Sequence, residues 1–141
     1  MSMNPPCSEA LGIEQVLASY HRCESAGGLF DAFYEIFLAK SPEISPRFAA
    51  TDMERQKQDV MASVLMALRL AAGDPMAKKY IAEIAKSHNR HGHSIRPELY
   101  DLWLDALCEA VRKRDPQFTA ELERQWRQAM RPAIELMVAA Y

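Results

Sequence analysis

Apolar residues recur along this chain three and four positions apart, the spacing that lines up one face of a helix. No stretch alternates with the two-residue period of a half-buried strand, so the pattern predicts an all-α chain. Ser8 is placed to cap a first helix with Ile13, Val16, Leu17 and Tyr20 on its inner face, ending near Gly27-Gly28. A second helix spans about 29–40 and buries Phe30, Phe33, Tyr34 and Phe37. Ser41-Pro42-Glu43 then reads as cap, first-turn proline and an acid suited to the positive end of a helix, opening a short piece that ends near Phe48.

Thr51-x-x-Glu54 has the form of a capping box and opens a long helix to about Ala72, with Met53, Gln56, Val60, Val64, Ala67 and Ala71 facing inward. Gly73 stops it, and Asp74-Pro75 begins a helix whose stripe is Ala77, Ile81, Ile84 and His88. Asn89 to Ser94 is polar, holds Gly92 and reads as a loop. Pro97 opens a helix bearing Leu99, Trp103, Ala106, Leu107 and Ala110. Asp115-Pro116 is placed to open the last, with Phe118, Leu122, Trp126, Met130, Ala133 and Met137 in phase. Pro132 lies inside that helix, where it removes a backbone donor and should kink it. With no internal repeat or low-complexity segment, residues 1–141 read as one domain.

Composition narrows the chemistry. Hydrophobic residues at 49% and charged ones at 26% are ordinary for a globular protein, and a net charge of −2 offers no basic field for nucleic acid or anionic lipid. No apolar run approaches the roughly 20 residues that span a bilayer, and the N-terminal residues do not resemble a signal peptide. Cys7, Cys23 and Cys108 form no C-x-x-C pair and read as free thiols, so the expectation is a cytoplasmic protein. The phosphate loop, the nucleophile elbow and GxGxxG are missing from the sequence, and His88-x-x-His91-x-His93 lacks the partners of a zinc enzyme. The Lys78-Lys79 and Arg112-Lys113-Arg114 clusters read as solvated helix faces.

One ordered set of residues carries more. Phe33-Tyr34-x-x-Phe37 is followed by Pro42-Glu43, Phe48, Asp52-Met53-Glu54-Arg55-Gln56 and then His88. Tyr34 precedes Pro42 by eight positions and Phe48 follows it by six. From about Ser19 onward this order resembles the bacterial single-domain globins, of the Vitreoscilla haemoglobin type, and the haem domains of flavohaemoglobins. The departure lies after His88, where Pro97 comes later than is common in that family; an insertion of two residues within Asn89–Ser94 accounts for it.

The resemblance implies a three-over-three helical sandwich around one haem b (iron protoporphyrin IX). It makes His88 the axial iron ligand, a role suited to neutral imidazole oriented by a partner on its other nitrogen. Ile81 and Ile84 share the helical face of His88; the competing reading is a surface histidine, and His91 is a competing ligand. His91, His93 and Arg90 are otherwise expected near the pocket rim, within reach of a haem propionate. Tyr34 and Gln56 are implied as the distal pair that donates hydrogen bonds to a gas ligand, against the alternatives of a core aromatic and a solvated helix residue. Val60 would press on that ligand, Phe48 would stack on the macrocycle, and Ile44, Ile84 and Ile95 would line its edges. Trp103 is expected near the haem or simply in the core, and Tyr100 to bond near the proximal histidine.

The implied function is reversible binding of oxygen or another diatomic gas (O2, NO or CO), hence oxygen binding or transport by a monomer or homodimer. An enzyme of nitric oxide dioxygenase type is a different class and would need a separate reductase. A gas sensor, or a haem-free helical interaction module, would keep the same fold.

Overall fold

The structure is a computed structural model that describes residues 4–89 and 95–141. Six α-helices and one short 3₁₀ helix make up the described residues: α1 (Asn4–Ala26), α2 (Leu29–Leu38), the 3₁₀ helix (Ser45–Phe48), α3 (Met53–Ala71), α4 (Pro75–His88), α5 (Pro97–Arg114) and α6 (Ala120–Ala139). The all-α expectation holds. Helix α6 packs against α1, α3, α4 and α5, while α2 packs on α5 and α3 on α4.

Helical phase dictates the filling of this sandwich. Val16, Tyr20, Phe33, Val64, Leu68, Leu107, Val111, Trp126 and Met130 are the in-phase positions of their helices, and each is essentially excluded from water. Burying a side chain of this size contributes about 1.5–3 kcal/mol, so the stripes, more than helix propensity, hold the helices. Phe33 stacks on Phe37 with ring centroids 5.3 Å apart and meets Trp103 edge-on at 5.6 Å, which joins α2 to α5.

The helix ends differ in register from the sequence reading at four places. α1 starts at Asn4, so Ser8 lies inside it and is no cap. No α-helix begins at Pro42. Pro46 has no N–H to donate, and the tighter bonds Ile44 N–H to Ser41 O (3.1 Å) and Arg47 N–H to Ile44 O (3.0 Å) produce a turn and a 3₁₀ helix. Asp52 rather than Thr51 caps α3, its carboxylate accepting from the N–H groups of Glu54 and Arg55. α6 begins after Thr119, whose hydroxyl accepts from Leu122 N–H at 3.0 Å; Asp115 is engaged elsewhere.

Other boundaries are as read. Asp74 caps α4 and Pro75 and Pro97 occupy first-turn positions of α4 and α5. Gly27 and Gly28 carry φ of 79° and 78° between α1 and α2, a conformation open to glycine at no steric cost. Pro132 lies within α6, which remains helical through it. No helix is long and apolar enough to cross a membrane among the described residues.

Candidate haem and gas-ligand site

α2 brings Tyr34 to the start of α3. The Tyr34 side chain is 4% exposed, and its hydroxyl oxygen accepts a hydrogen bond from Gln56 Nε2 at 3.1 Å. A phenol has one proton to donate, and with the oxygen accepting from Gln56 that proton has no acceptor among the described residues. Burial pushes the Tyr34 pKa up to about 12, outweighing the opposing bond from Gln56, so the phenol stays protonated across the physiological range. Phe48 packs edge-on against Tyr34 at 5.7 Å and against Phe37 at 6.4 Å. Ile44, just before the 3₁₀ helix, is buried, as is Val60, one turn beyond Gln56. Tyr34, Gln56, Phe48 and Phe37 thus meet at the junction of α2, the 3₁₀ helix and α3.

A second cluster closes the end of α4. His88 is half-buried, and its Nδ1 lies 2.9 Å from Ile84 O and 3.0 Å from Ser87 Oγ. Ser87 Oγ donates to the same Ile84 carbonyl at 2.8 Å. A carbonyl only accepts, so the Nδ1 contact requires the proton on Nδ1, and the neutral ring then carries its lone pair on Nε2. An imidazole with one nitrogen held by a carbonyl is oriented as an iron ligand needs to be. Ile95 N–H donates to His88 O at 3.1 Å and brings half-buried Ile95 beside it; Ile84 is half-buried one turn earlier. The donor set fits a haem: an oriented imidazole on α4 with Ile84 and Ile95 beside it, and a phenol on α2 and a carboxamide on α3 with Phe48 beside the phenol.

Two expected placements change. The Tyr100 hydroxyl is buried with no hydrogen-bond partner among the described residues, and Nδ1 of His88 is committed to Ile84 O, so the expected bond from Tyr100 near the histidine is not among them. Burial raises the Tyr100 pKa to about 12. Glu43 does not serve a helix N-terminus; its carboxylate meets Arg96 and Arg47. Trp103 is half-buried and meets Phe33 edge-on, within the aromatic group that includes Phe37 and Tyr34. Arg90, His91 and His93, with the proposed insertion up to Ser94, lie outside the described residues.

Sequence reasoning missed two polar groups. One is the pairing of Arg96 with Glu43. The other is buried: Asp115 accepts from Ser19 Oγ (2.5 Å), Arg22 Nε (2.7 Å) and Arg22 Nη2 (2.9 Å), and Ser19 Oγ accepts from Trp126 Nε1 at 3.0 Å. Desolvation would raise the Asp115 pKa, but the bonds from Arg22 and Ser19 prevail and hold it below the usual carboxylate range. No local signal marks such partners, which lie 93 to 107 residues apart in the chain.

The globin family model matches residues 31–136, about three-quarters of the chain. A crystal structure from Pseudomonas aeruginosa PAO1, described as structurally highly homologous to a human haemoglobin, superposes with a TM-score of 0.88 at 41% identity. That match covers 92% of this chain and 98% of the other. Comparison with curated protein sequences finds no match. The helix order, the paired polar clusters, the family match and this neighbour agree: the chain belongs to the globin family.

Proposed function

We propose that this globin holds a b-type haem through Nε2 of His88 and binds oxygen or another diatomic gas on the side of Tyr34 and Gln56. Haem iron, when bound, supplies one open coordination position for such a gas. The observation that carries the reading is the hydroxyl of Tyr34: buried, protonated, oriented by Gln56 and with its own proton unspent. A buried donor left unmatched costs about 1–3 kcal/mol, and a polar diatomic ligand is the acceptor that repays it. Gln56 acts first on Tyr34, holding the phenol oxygen so that its proton points away from the amide.

The remaining residues shape the space. Phe48 backs Tyr34, Val60 restricts the ligand's size, and Ile44, Ile84 and Ile95 supply apolar edges for the macrocycle. The sequence has no C-x-x-C-H for thioether attachment, and Cys23 and Cys108 are buried, their pKa values raised to about 12 chiefly by burial. Both facts support a non-covalent haem of the b type.

Adding haemin to the purified protein tests this. A sharp Soret band saturating at one haem per chain is expected, with the His88→Ala protein failing to retain the haem through gel filtration. A wild-type protein that passes haemin through without a spectral change would defeat the reading. Mixing the oxygenated protein with nitric oxide separates reversible binding from enzymatic turnover: a single oxidation is the binder's response, and sustained consumption with added reductant the enzyme's.

A further inference from the structure

Arg96 reaches across the molecule to Glu43, 53 residues earlier, with two prongs of its guanidinium. Nε donates to Oε2 at 3.3 Å and Nη2 donates to Oε1. The bonds from Arg96 hold the Glu43 carboxyl below its ordinary pKa, and Glu43 in turn raises that of Arg96. The two side chains are 43% and 39% exposed, and an exposed ion pair contributes little to global stability. What sets this one apart is what it joins. Arg96 directly follows Ile95, whose N–H is bonded to the carbonyl of His88. Glu43 directly precedes buried Ile44 and the 3₁₀ helix that carries Phe48 against Tyr34. Arg47, 3.6 Å from Glu43, and Glu98, 3.6 Å from Arg96, extend the contact along each segment.

We propose that the Arg96–Glu43 pair is a strap that makes Ile95, just before α5 and bonded to His88 O, and the segment before Phe48 move as one unit, and thereby slows the escape of the haem. The retention half of this rests on the haem assignment above; the mechanical coupling does not. Arg96 and Glu43 are positioning residues, acting through the backbone on either side. The planar fork of arginine grips a carboxylate in a fixed orientation, which a lysine cannot reproduce.

Amide hydrogen exchange tests the coupling, with or without haem. In Glu43→Gln, altered on the distal segment, the Ile95 N–H should exchange about two- to fivefold faster, the range expected from an exposed ion pair. In Arg96→Gln the Thr51 N–H, bonded to Phe48 O at 3.1 Å, should accelerate similarly. The double variant should be no faster than either single one, and Gly27 N–H, bonded to Cys23 O, should not change in any of them. Haem transfer to an excess of a haem-scavenging protein should quicken by the same factor, and 1 M salt should quicken it in the wild type but hardly in the variants. Unchanged exchange at Ile95 in Glu43→Gln, or strictly additive effects in the double variant, would overturn the coupling. Faster exchange with unaltered haem transfer would overturn the retention role. A wild type that takes up no haem would defeat the functional assignment, while the exchange measurements would still decide the strap.

Discussion

Two polar clusters in this globin use similar atoms and spend them differently. Where α1 meets the α5–α6 junction, Asp115 accepts from Ser19, from both prongs of Arg22 and from Gln117 N–H, while the Ser19 hydroxyl both donates to Asp115 and accepts from Trp126. The Asp115 side chain is fully excluded from water, and its two oxygens accept four bonds between them. Between α2 and α3, by contrast, Tyr34 and Gln56 satisfy one bond and leave the phenol proton without an acceptor among the described residues. The closed cluster has no capacity left for a ligand, and its role is to fasten helices. The open one keeps a donor in reserve. An unspent hydroxyl alone does not make a site, since the hydroxyls of Tyr20 and Tyr100 are also buried without hydrogen-bond partners among the described residues. Tyr34 differs because Gln56 orients it and because Phe48 and Gln56, both only half-buried, stand beside it.

Breaking the closed cluster should have the largest effect on stability. Asp115→Asn removes a buried charge that Arg22 and Ser19 are built around, and should cost roughly 3 kcal/mol. Thermal unfolding should register a fall in Tm of roughly 10 °C, with haem uptake preserved in the folded protein. The same residue sets an acid limit. Its carboxyl titrates lower in the folded chain than in the unfolded one, so its stabilisation is complete above about pH 5 and is lost as pH falls through the depressed folded value. Unfolding of wild type and Asp115→Asn should therefore converge as pH falls through that acid window.

Opening the second cluster should change kinetics rather than stability. Tyr34→Phe removes the hydrogen bond proposed to the gas and should speed oxygen dissociation about ten- to hundredfold, while unfolding free energy changes by less than about 1 kcal/mol. Stopped-flow displacement of oxygen checks this, and an unaltered off-rate would remove Tyr34 from the site. Ser19→Ala comes next, at about 1–2 kcal/mol of stability, because it strands Trp126 Nε1 and one bond of Asp115. Chemical denaturation should show that loss with no change in gas kinetics. Gln56→Leu should be the mildest: it frees the Tyr34 ring to reorient, and the oxygen off-rate should rise only severalfold.

Much of this arrangement is legible in the order of residues. Helical period with its proline and glycine punctuation locates the six helices of the described residues, and Phe33, Val64, Leu107 and Trp126 are in the core where their phase places them. Tyr34, Gln56 and Phe48, singled out together from their spacing, do meet in space, and so do Ile84, His88 and Ile95. The helix starts are less legible, because capping groups compete. Asp52 outbids its neighbour Thr51, Asp115 is drawn away by Ser19 and Arg22, and Pro46 forbids the helix that Pro42 invites. Nothing local announces Arg96 with Glu43, or Ser19 with Trp126, since those partners are chosen by tertiary packing. The Tyr100 hydroxyl shows the same limit from the other side: a residue's place in a pattern does not reveal which nitrogen of a nearby imidazole is already committed.

Resonance Raman spectroscopy of the ferrous, haem-loaded protein tests the central assignment most directly, with wild type set against His88→Gly. An iron–imidazole stretching band should be present in the wild type, while His88→Gly, which should not keep haem unaided, should take up haem and show the band only when free imidazole is supplied. The same band surviving in His88→Gly without added imidazole would contradict the account, because another side chain would then be holding the iron.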